Sequence, residues 1–261
     1  MLSNETVDEV ANTLLKAEDD KSPLAPLTET YPQMTVHDAY SVQMAVIKRK
    51  CARGEVLVGR KVGLTSKAMQ DMLGVSEPDF GCITSSMMIH EDEDLHVREL
   101  IQPRIEPEIA FVLERDVRGP GVTMPSVLAS TKGVLPSLEV IDSRIKDWKI
   151  KLQDTVADNA SSARVIAGER MNVVGSIDLA KVGVVFEKNG EVISTATGAA
   201  VLGNPALAVA WLANKLSEFG TYLLAGSFVM PGSLVAALPA KRGDQFRAVF
   251  DRLGSVSVKA I

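Results

Sequence analysis

The residues with the most chemical potential lie in Arg104-Ile-Glu106-Pro-Glu108-Ile-Ala-Phe. In a strand, residues two apart share a face. Glu106 and Glu108 then point one way while Ile105 and Ile109 point the other. Two glutamates on a solvated strand face would be ordinary. The apolar flanks instead predict a mostly buried strand, and Glu139 sits in a similar apolar run, Val134-Leu-Pro-Ser-Leu-Glu-Val-Ile. Three carboxylates gathered in a low dielectric repel one another and stay protonated unless a cation lies among them. Hard oxygen ligands without histidine or thiolate suit Mg²⁺ or Mn²⁺. An ion held by few protein ligands keeps positions open for a chelating substrate.

Three other places carry chemistry on either of two readings. Lys61, in VLVGRKVGL, is a half-buried donor aimed into a cleft or a surface lysine with a snorkelling stem. Asp79, in Ser76-Glu-Pro-Asp79-Phe-Gly81, is a site carboxylate or a turn aspartate in a turn-rich loop. The run Asp154-Thr-Val-Ala-Asp158-Asn-Ala-Ser161-Ser162 is a helix cap or a backbone-rich wall for a carboxylate.

Other chemistries lack their motifs. There is no G-x-G-x-x-G, no G-x-x-x-x-G-K-[ST] and no G-x-S-x-G. His37 has a packing or surface context, and His90 and His96 bracket HEDEDLH, which reads as a solvated acidic turn. A net charge of −5 argues against a nucleic-acid partner. Cys51 and Cys82 are isolated, which fits a reducing cytoplasm better than a disulfide framework. The acidic start lacks the apolar stretch of a signal peptide. The uncharged stretch from Leu223 to Ala240 is broken by Gly226, Pro231-Gly232-Ser233 and Pro239, so it reads as short buried strands and not as a membrane span.

The elements that must position these residues follow from periodicity. At 261 residues and 46% hydrophobic content the chain can bury a large core. Val7, Val10, Ala11, Leu14 and Leu15 recur at helical spacing behind Ser3 or a Thr6/Glu9 capping box. A second helix runs from a cap at Thr35 to Gly54, a third from Ser66 to Gly74, and a late one opens on Asn204-Pro205. Residues 56–64, 104–113 and 134–142 read as strands, and Asn189-Gly190 marks a two-residue hairpin. The organisation predicted is a helical N-terminal segment, 1–75, packed on a β-rich catalytic domain, 76–261, as one structural unit and not a regular βαβ array.

Taken together, four blocks resemble one known family: 58–81 (VGRKVGLTSKAMQDMLGVSEPDFG), 100–113, 136–162 and 198–216. They are similar to the 2-keto-4-pentenoate hydratase and 4-oxalocrotonate decarboxylase group of the fumarylacetoacetate hydrolase superfamily. The resemblance implies an α+β fold, a mixed β-roll of that superfamily's C-terminal domain type with a helical N-terminal segment. It implies one Mg²⁺ or Mn²⁺ on Glu106, Glu108 and Glu139, with Lys61 and Asp79 catalytic and Ser161 at the substrate carboxylate. The PDFG and DWKIK runs, at 78–81 and 147–151, and Arg60 where decarboxylases carry leucine, point to the hydratase branch. No histidine matches the His–Glu pair of the superfamily's C–C bond hydrolases.

The activity implied is hydration of a 2-hydroxy-2,4-dienoate from aromatic meta-cleavage to a 4-hydroxy-2-oxoalkanoate. Ala163-Arg164 is closer to decarboxylases and steroid-pathway hydratases, which leaves the acyl chain open. Decarboxylation of 4-oxalocrotonate and a non-catalytic partner subunit are the alternatives. A cytoplasmic homo-oligomer, with association to a related decarboxylase, completes the expectation.

Overall fold

Local capping decides where the chain first becomes helical. The Ser3 hydroxyl accepts the Thr6 amide at 3.1 Å and opens helix α1, Asn4–Asp20, which ends on Lys21 in the left-handed region. Its apolar stripe, Val10, Ala11, Leu14 and Leu15, is buried. After the short α2, Leu27–Thr30, a reciprocal box between Thr35 and Asp38 starts α3, Val36–Ala52. The computed structural model describes residues 1–261 apart from the side chains of Met72 and Leu73.

The period then changes. Strand β1, Leu57–Gly63, is followed by α4, Lys67–Leu73, capped by Ser66 and closed by Gly74 at positive φ. Next come β2, Asp79–Thr84, and β3, Met88–His90. Strand β4, Arg104–Leu113, leads through α5, Met124–Ala129, to β5, Thr131–Ile141. Helix α6, Leu152–Ala157, precedes β6, Ser162–Ala167. The hairpin β7, Gly183–Lys188, and β8, Glu191–Thr197, turns on Asn189 and Gly190, both at positive φ as a type I′ turn requires. Helix α7, Pro205–Ser217, begins on the Asn204 side chain, and the chain ends in β9, Phe228–Met230, β10, Leu238–Pro239, β11, Gln245–Phe250, and β12, Gly254–Lys259.

These strands form two sheets. The larger runs β2-β1-β9-β4-β5-β6-β3, with β10 also on β4, and the smaller runs β12-β11-β7-β8. The fold is a mixture of helix and sheet, as expected. Strand β1 lies inside the 1–75 stretch and pairs on both edges in the larger sheet, antiparallel to β2 and parallel to β9. Strands β11 and β12 lie against β5. Within the smaller sheet Phe186 of β7 and Phe246 of β11 stack with ring centroids 6.2 Å apart, each buried phenyl contributing about 1.5–3 kcal/mol. No helix among the described residues is long and apolar enough to cross a membrane.

Two features of the larger sheet matter for chemistry. Strands β4 and β5 pair over nearly their full length, with Glu106 directly opposite Glu139 and Glu108 opposite Ser137. On its other edge β4 meets β10 only at Arg104 and Ile105 and β9 only at Phe111 and Val112. Pro107, which has no amide to give a ladder, lies in the gap. The turn after β9 closes over that gap, and Leu234 donates to the Pro107 carbonyl at 3.2 Å.

Candidate active site and metal centre

The β4–β5 register brings the three glutamates together. One oxygen from each of Glu106, Glu108 and Glu139 lies within 4.8 Å of the others. Glu108 and Glu139 are fully buried and Glu106 is half-buried. Each of the two buried carboxylates is tethered through one oxygen only. The Ser162 hydroxyl donates to Glu139 Oε1 at 2.8 Å, and the Gly232 amide donates to Glu108 Oε2 at 2.7 Å. Glu139 Oε2 and Glu108 Oε1 have no hydrogen-bond partner.

Lys61 and Asp79 join the same cluster from β1 and β2. Lys61 is 4% exposed, so it is not a surface lysine. Its Nζ donates to the Ala160 carbonyl at 3.1 Å and lies 3.4 Å from Glu139 Oε2. Asp79 is not in a turn, as its sequence context suggested. The turn ends at Pro78, and the apolar run after it pairs with β1, which makes Asp79 the first residue of a buried strand opposite Gly63. A Cβ on Gly63 would stand 2.2 Å from Asp79 Oδ1 and 3.3 Å from Lys61 Nζ, so only glycine leaves room there. Asp79 Oδ1 is also without a hydrogen-bond partner.

Electrostatics follow from this crowding. Burial, reinforced by Glu139, pushes Glu106 up to about 8. Burial, with Glu139 and Glu106 adding to it, holds Glu108 well above the ordinary range. Asp79 is raised by burial, against the opposing pull of Lys61. For Lys61, burial favours the neutral amine, but Glu139, Asp79, Glu106 and Glu108 outweigh it and keep the ammonium charged.

The wall of the site is the end of α6. Asp154 both caps the helix, accepting the Lys151 amide at 2.8 Å, and ties α2 through the Thr28 amide and hydroxyl, each at 2.9 Å. Asn159, Ala160 and Ser161 then take φ of 55°, 49° and 57° in succession. Left-handed backbone costs non-glycine residues roughly 1–2 kcal/mol each, so this stretch needs external restraint. The Asn159 amide group supplies one, bonding both the amide and the carbonyl of Cys82 on β2, at 2.8 and 2.9 Å. Buried Arg144 supplies another, gripping the Asp158 carboxylate and backbone carbonyl and, at 3.3 Å, the Ser162 carbonyl. The strained stretch presents the Ala160 carbonyl to Lys61 and the Ser162 hydroxyl to Glu139.

Ser161, the serine singled out from sequence, is 3% exposed, and its hydroxyl is 3.4 Å from that of Thr155. Sequence reasoning included Asn159 and Ser162 in the 154–162 run without giving either a role, and missed Gly232 and Arg144 beside the site. The repeated serine and the Pro231-Gly232-Ser233 turn were the visible signals. The acidic HEDEDLH stretch is a turn with His90 and His96 exposed, as expected. His37 is exposed and stacks on Phe219.

The donor set fits a hard divalent cation. It consists of three carboxylates, with two buried oxygens lacking a hydrogen-bond partner, and no histidine or thiolate.

No protein-family model matches the chain. A 2-hydroxyhexa-2,4-dienoate hydratase of Comamonas testosteroni is 47% identical over 90% of this chain and 90% of its own. A 2-keto-4-pentenoate hydratase of Paraburkholderia xenovorans (strain LB400) is 42% identical, over 95% and 93%. Among solved structures, 4-oxalocrotonate decarboxylase from Pseudomonas putida G7, complexed with magnesium and adipate, superposes with a TM-score of 0.98 at 41% identity, covering 100% of this chain and 99% of that one. A fumarylacetoacetate hydrolase family protein from Yersinia pestis CO92 shares the fold alone, with a TM-score of 0.59 at 14% identity over 79% and 94%. The chain belongs to the family of 2-keto-4-pentenoate hydratases and 4-oxalocrotonate decarboxylases, enzymes built on the fumarylacetoacetate hydrolase fold.

Proposed function

We propose that this chain is a hydro-lyase that adds water to a 2-hydroxy-2,4-dienoate to give a 4-hydroxy-2-oxoalkanoate, as a step in aromatic meta-cleavage. The observation that carries this reading is a buried Asp79 carboxyl, with one oxygen unpartnered, held beside the Lys61 ammonium and the three-glutamate cluster. Glu106, Glu108 and Glu139 would hold Mg²⁺ or Mn²⁺, which when bound supplies positive charge for the substrate's C1 carboxylate and C2 oxygen.

The chain's own groups handle the protons. Lys61, kept charged by its carboxylate neighbours, donates a hydrogen bond to the C2 oxygen as the dienol becomes a ketone. Asp79, raised by burial and so disposed to carry a proton, delivers it to C5. Asp79 is then a carboxylate and recovers a proton from the water that adds at C4. C3 takes the proton released from the C2 hydroxyl. Ser161, on the wall beside Lys61, is the candidate donor to the substrate carboxylate. Burial of Lys61, Asp79, Glu108 and Glu139 keeps bulk water from the reacting carbons.

The TM-score of 0.98 to a decarboxylase favours a second reading, release of carbon dioxide from 4-oxalocrotonate. Purified chain with Mg²⁺ separates the two. Loss of dienoate ultraviolet absorbance without gas release supports the hydratase. Carbon dioxide from 4-oxalocrotonate with the dienoate untouched overturns it. Inertness toward both would make the chain a non-catalytic partner of a related decarboxylase. The same reading takes the protein as a cytoplasmic homo-oligomer, and the two free cysteines, Cys51 and Cys82, are in keeping with a reducing compartment.

A further inference from the structure

We infer that Ser162 is a positioning residue for the metal centre: its hydroxyl tethers one oxygen of Glu139 so that the other is presented to the cation. This rests on the metal reading above. The observation is a repeated asymmetry. Glu139 and Glu108 are both fully buried, and each has one oxygen satisfied by a single donor while the other has no hydrogen-bond partner, Glu139 Oε2 facing the Lys61 ammonium at 3.4 Å. A carboxylate with one oxygen tethered cannot rotate freely about its last bond, so its bare oxygen is fixed in direction before any ion arrives. For Glu108 the donor is the Gly232 amide, fixed by a backbone at φ +118° and by Thr65, whose hydroxyl would lie 2.2 Å from any Cβ at that position. For Glu139 the donor is a side chain and can be removed by substitution.

The neighbouring serines divide two tasks. Ser161 and Ser162 are adjacent and both buried, but the chain leaves the left-handed stretch at Ser161, with φ 57°, and enters β6 at Ser162, with φ −66°. The change of backbone region sends the two hydroxyls to different partners, Thr155 for Ser161 and Glu139 for Ser162. Only Ser162 touches a proposed metal ligand. The restraints on the left-handed stretch from Asn159 and Arg144 thereby act directly on a metal ligand through this hydroxyl.

The test measures Mn²⁺ binding to the metal-stripped protein by calorimetry, without substrate, alongside thermal unfolding. Ser162→Ala is expected to weaken Mn²⁺ binding by about tenfold or more, the usual effect of losing a partner that orients a metal ligand. Ser162→Thr keeps the hydroxyl and is expected to restore it. Ser161→Ala is expected to leave Mn²⁺ affinity within about twofold, a margin well below that same loss. At saturating Mn²⁺, much of the kcat lost in Ser162→Ala should return. Unchanged Mn²⁺ affinity in folded Ser162→Ala overturns the inference while leaving the metal site standing. If Ser162→Ala does not fold, failure of Ser162→Thr to bind like the unaltered chain overturns it instead. Unaltered chain that binds no Mn²⁺ overturns the metal reading and the inference together.

Discussion

Glu106 and Glu139 are directly opposed residues on adjacent antiparallel strands, with their side chains on one face. Like charges opposite one another destabilise a sheet, and this pair is backed by a third carboxylate, Glu108, and faced by Lys61. Such an arrangement costs stability in the bare protein. It is offset when positive charge enters, so the strongest expectations concern removal of a carboxylate, of the cation or of the groups that aim them.

Replacing Glu106 or Glu139 with glutamine removes a charge while keeping the shape. Turnover and divalent-metal binding should be lost together, and metal-free Glu106→Gln should unfold at a higher temperature than the unaltered chain, because repulsion is relieved, whereas Glu139→Gln also strips buried Lys61 of its ion-pair partner. Activity that survives both the substitution and chelation would remove the metal from the mechanism.

The pH dependence of stability in chelator follows from the raised carboxyl groups. Glu106 titrates near 8 when folded, against an ordinary value of 4.5, and Glu108 and Asp79 shift in the same direction. Below about 3.8, the lower of the ordinary Asp and Glu values, these groups are protonated in both states and their contribution is fully present. As pH rises toward 8 the unfolded chain loses those protons first and stability falls. Thermal unfolding in EDTA between those limits should show the decline, and added Mg²⁺ should counter it at the alkaline end. A midpoint that climbs with pH in EDTA would contradict the burial-driven shifts.

Asp79 can be probed directly and through its neighbour. Asp79→Asn should lower kcat by roughly 10²–10⁴-fold, the usual worth of a general acid–base group, with metal affinity kept. Gly63→Ala places a methyl 2.2 Å from Asp79 Oδ1 and so must displace that carboxyl. It should reproduce much of the loss without replacing any titratable group. Steady-state kinetics beside Mn²⁺ titration would check both, and full activity in Gly63→Ala would exclude a role that depends on the position of Asp79.

Arg144→Leu leaves Asp158 buried with its guanidinium partner gone, although the Arg144 amide and Ser143 hydroxyl still reach it. Breaking a buried pair this way costs about 3–5 kcal/mol. Denaturant unfolding should show a loss of that order, partly recovered in Arg144→Leu/Asp158→Leu. A loss below about 1 kcal/mol would mean the pair does not restrain the left-handed stretch.

The local pattern by itself determined the four helices that open on caps at Ser3, Thr35, Ser66 and Asn204, the Asn189-Gly190 hairpin and the shared face of Glu106 and Glu108, but not the short α2, α5 and α6. Capping, turn chemistry and strand alternation act over a few residues, so a linear reading captures them. Register and burial do not act locally. Only the tertiary structure set Glu139 opposite Glu106, took Asp79 out of its apparent turn into a buried strand, and sent Lys61 inward beside Gly63. It alone chose between two adjacent serines, because a backbone held left-handed by Asn159 and Arg144 decides where each hydroxyl goes. Those restraints span 14 to 77 positions in sequence, and no local pattern carries them.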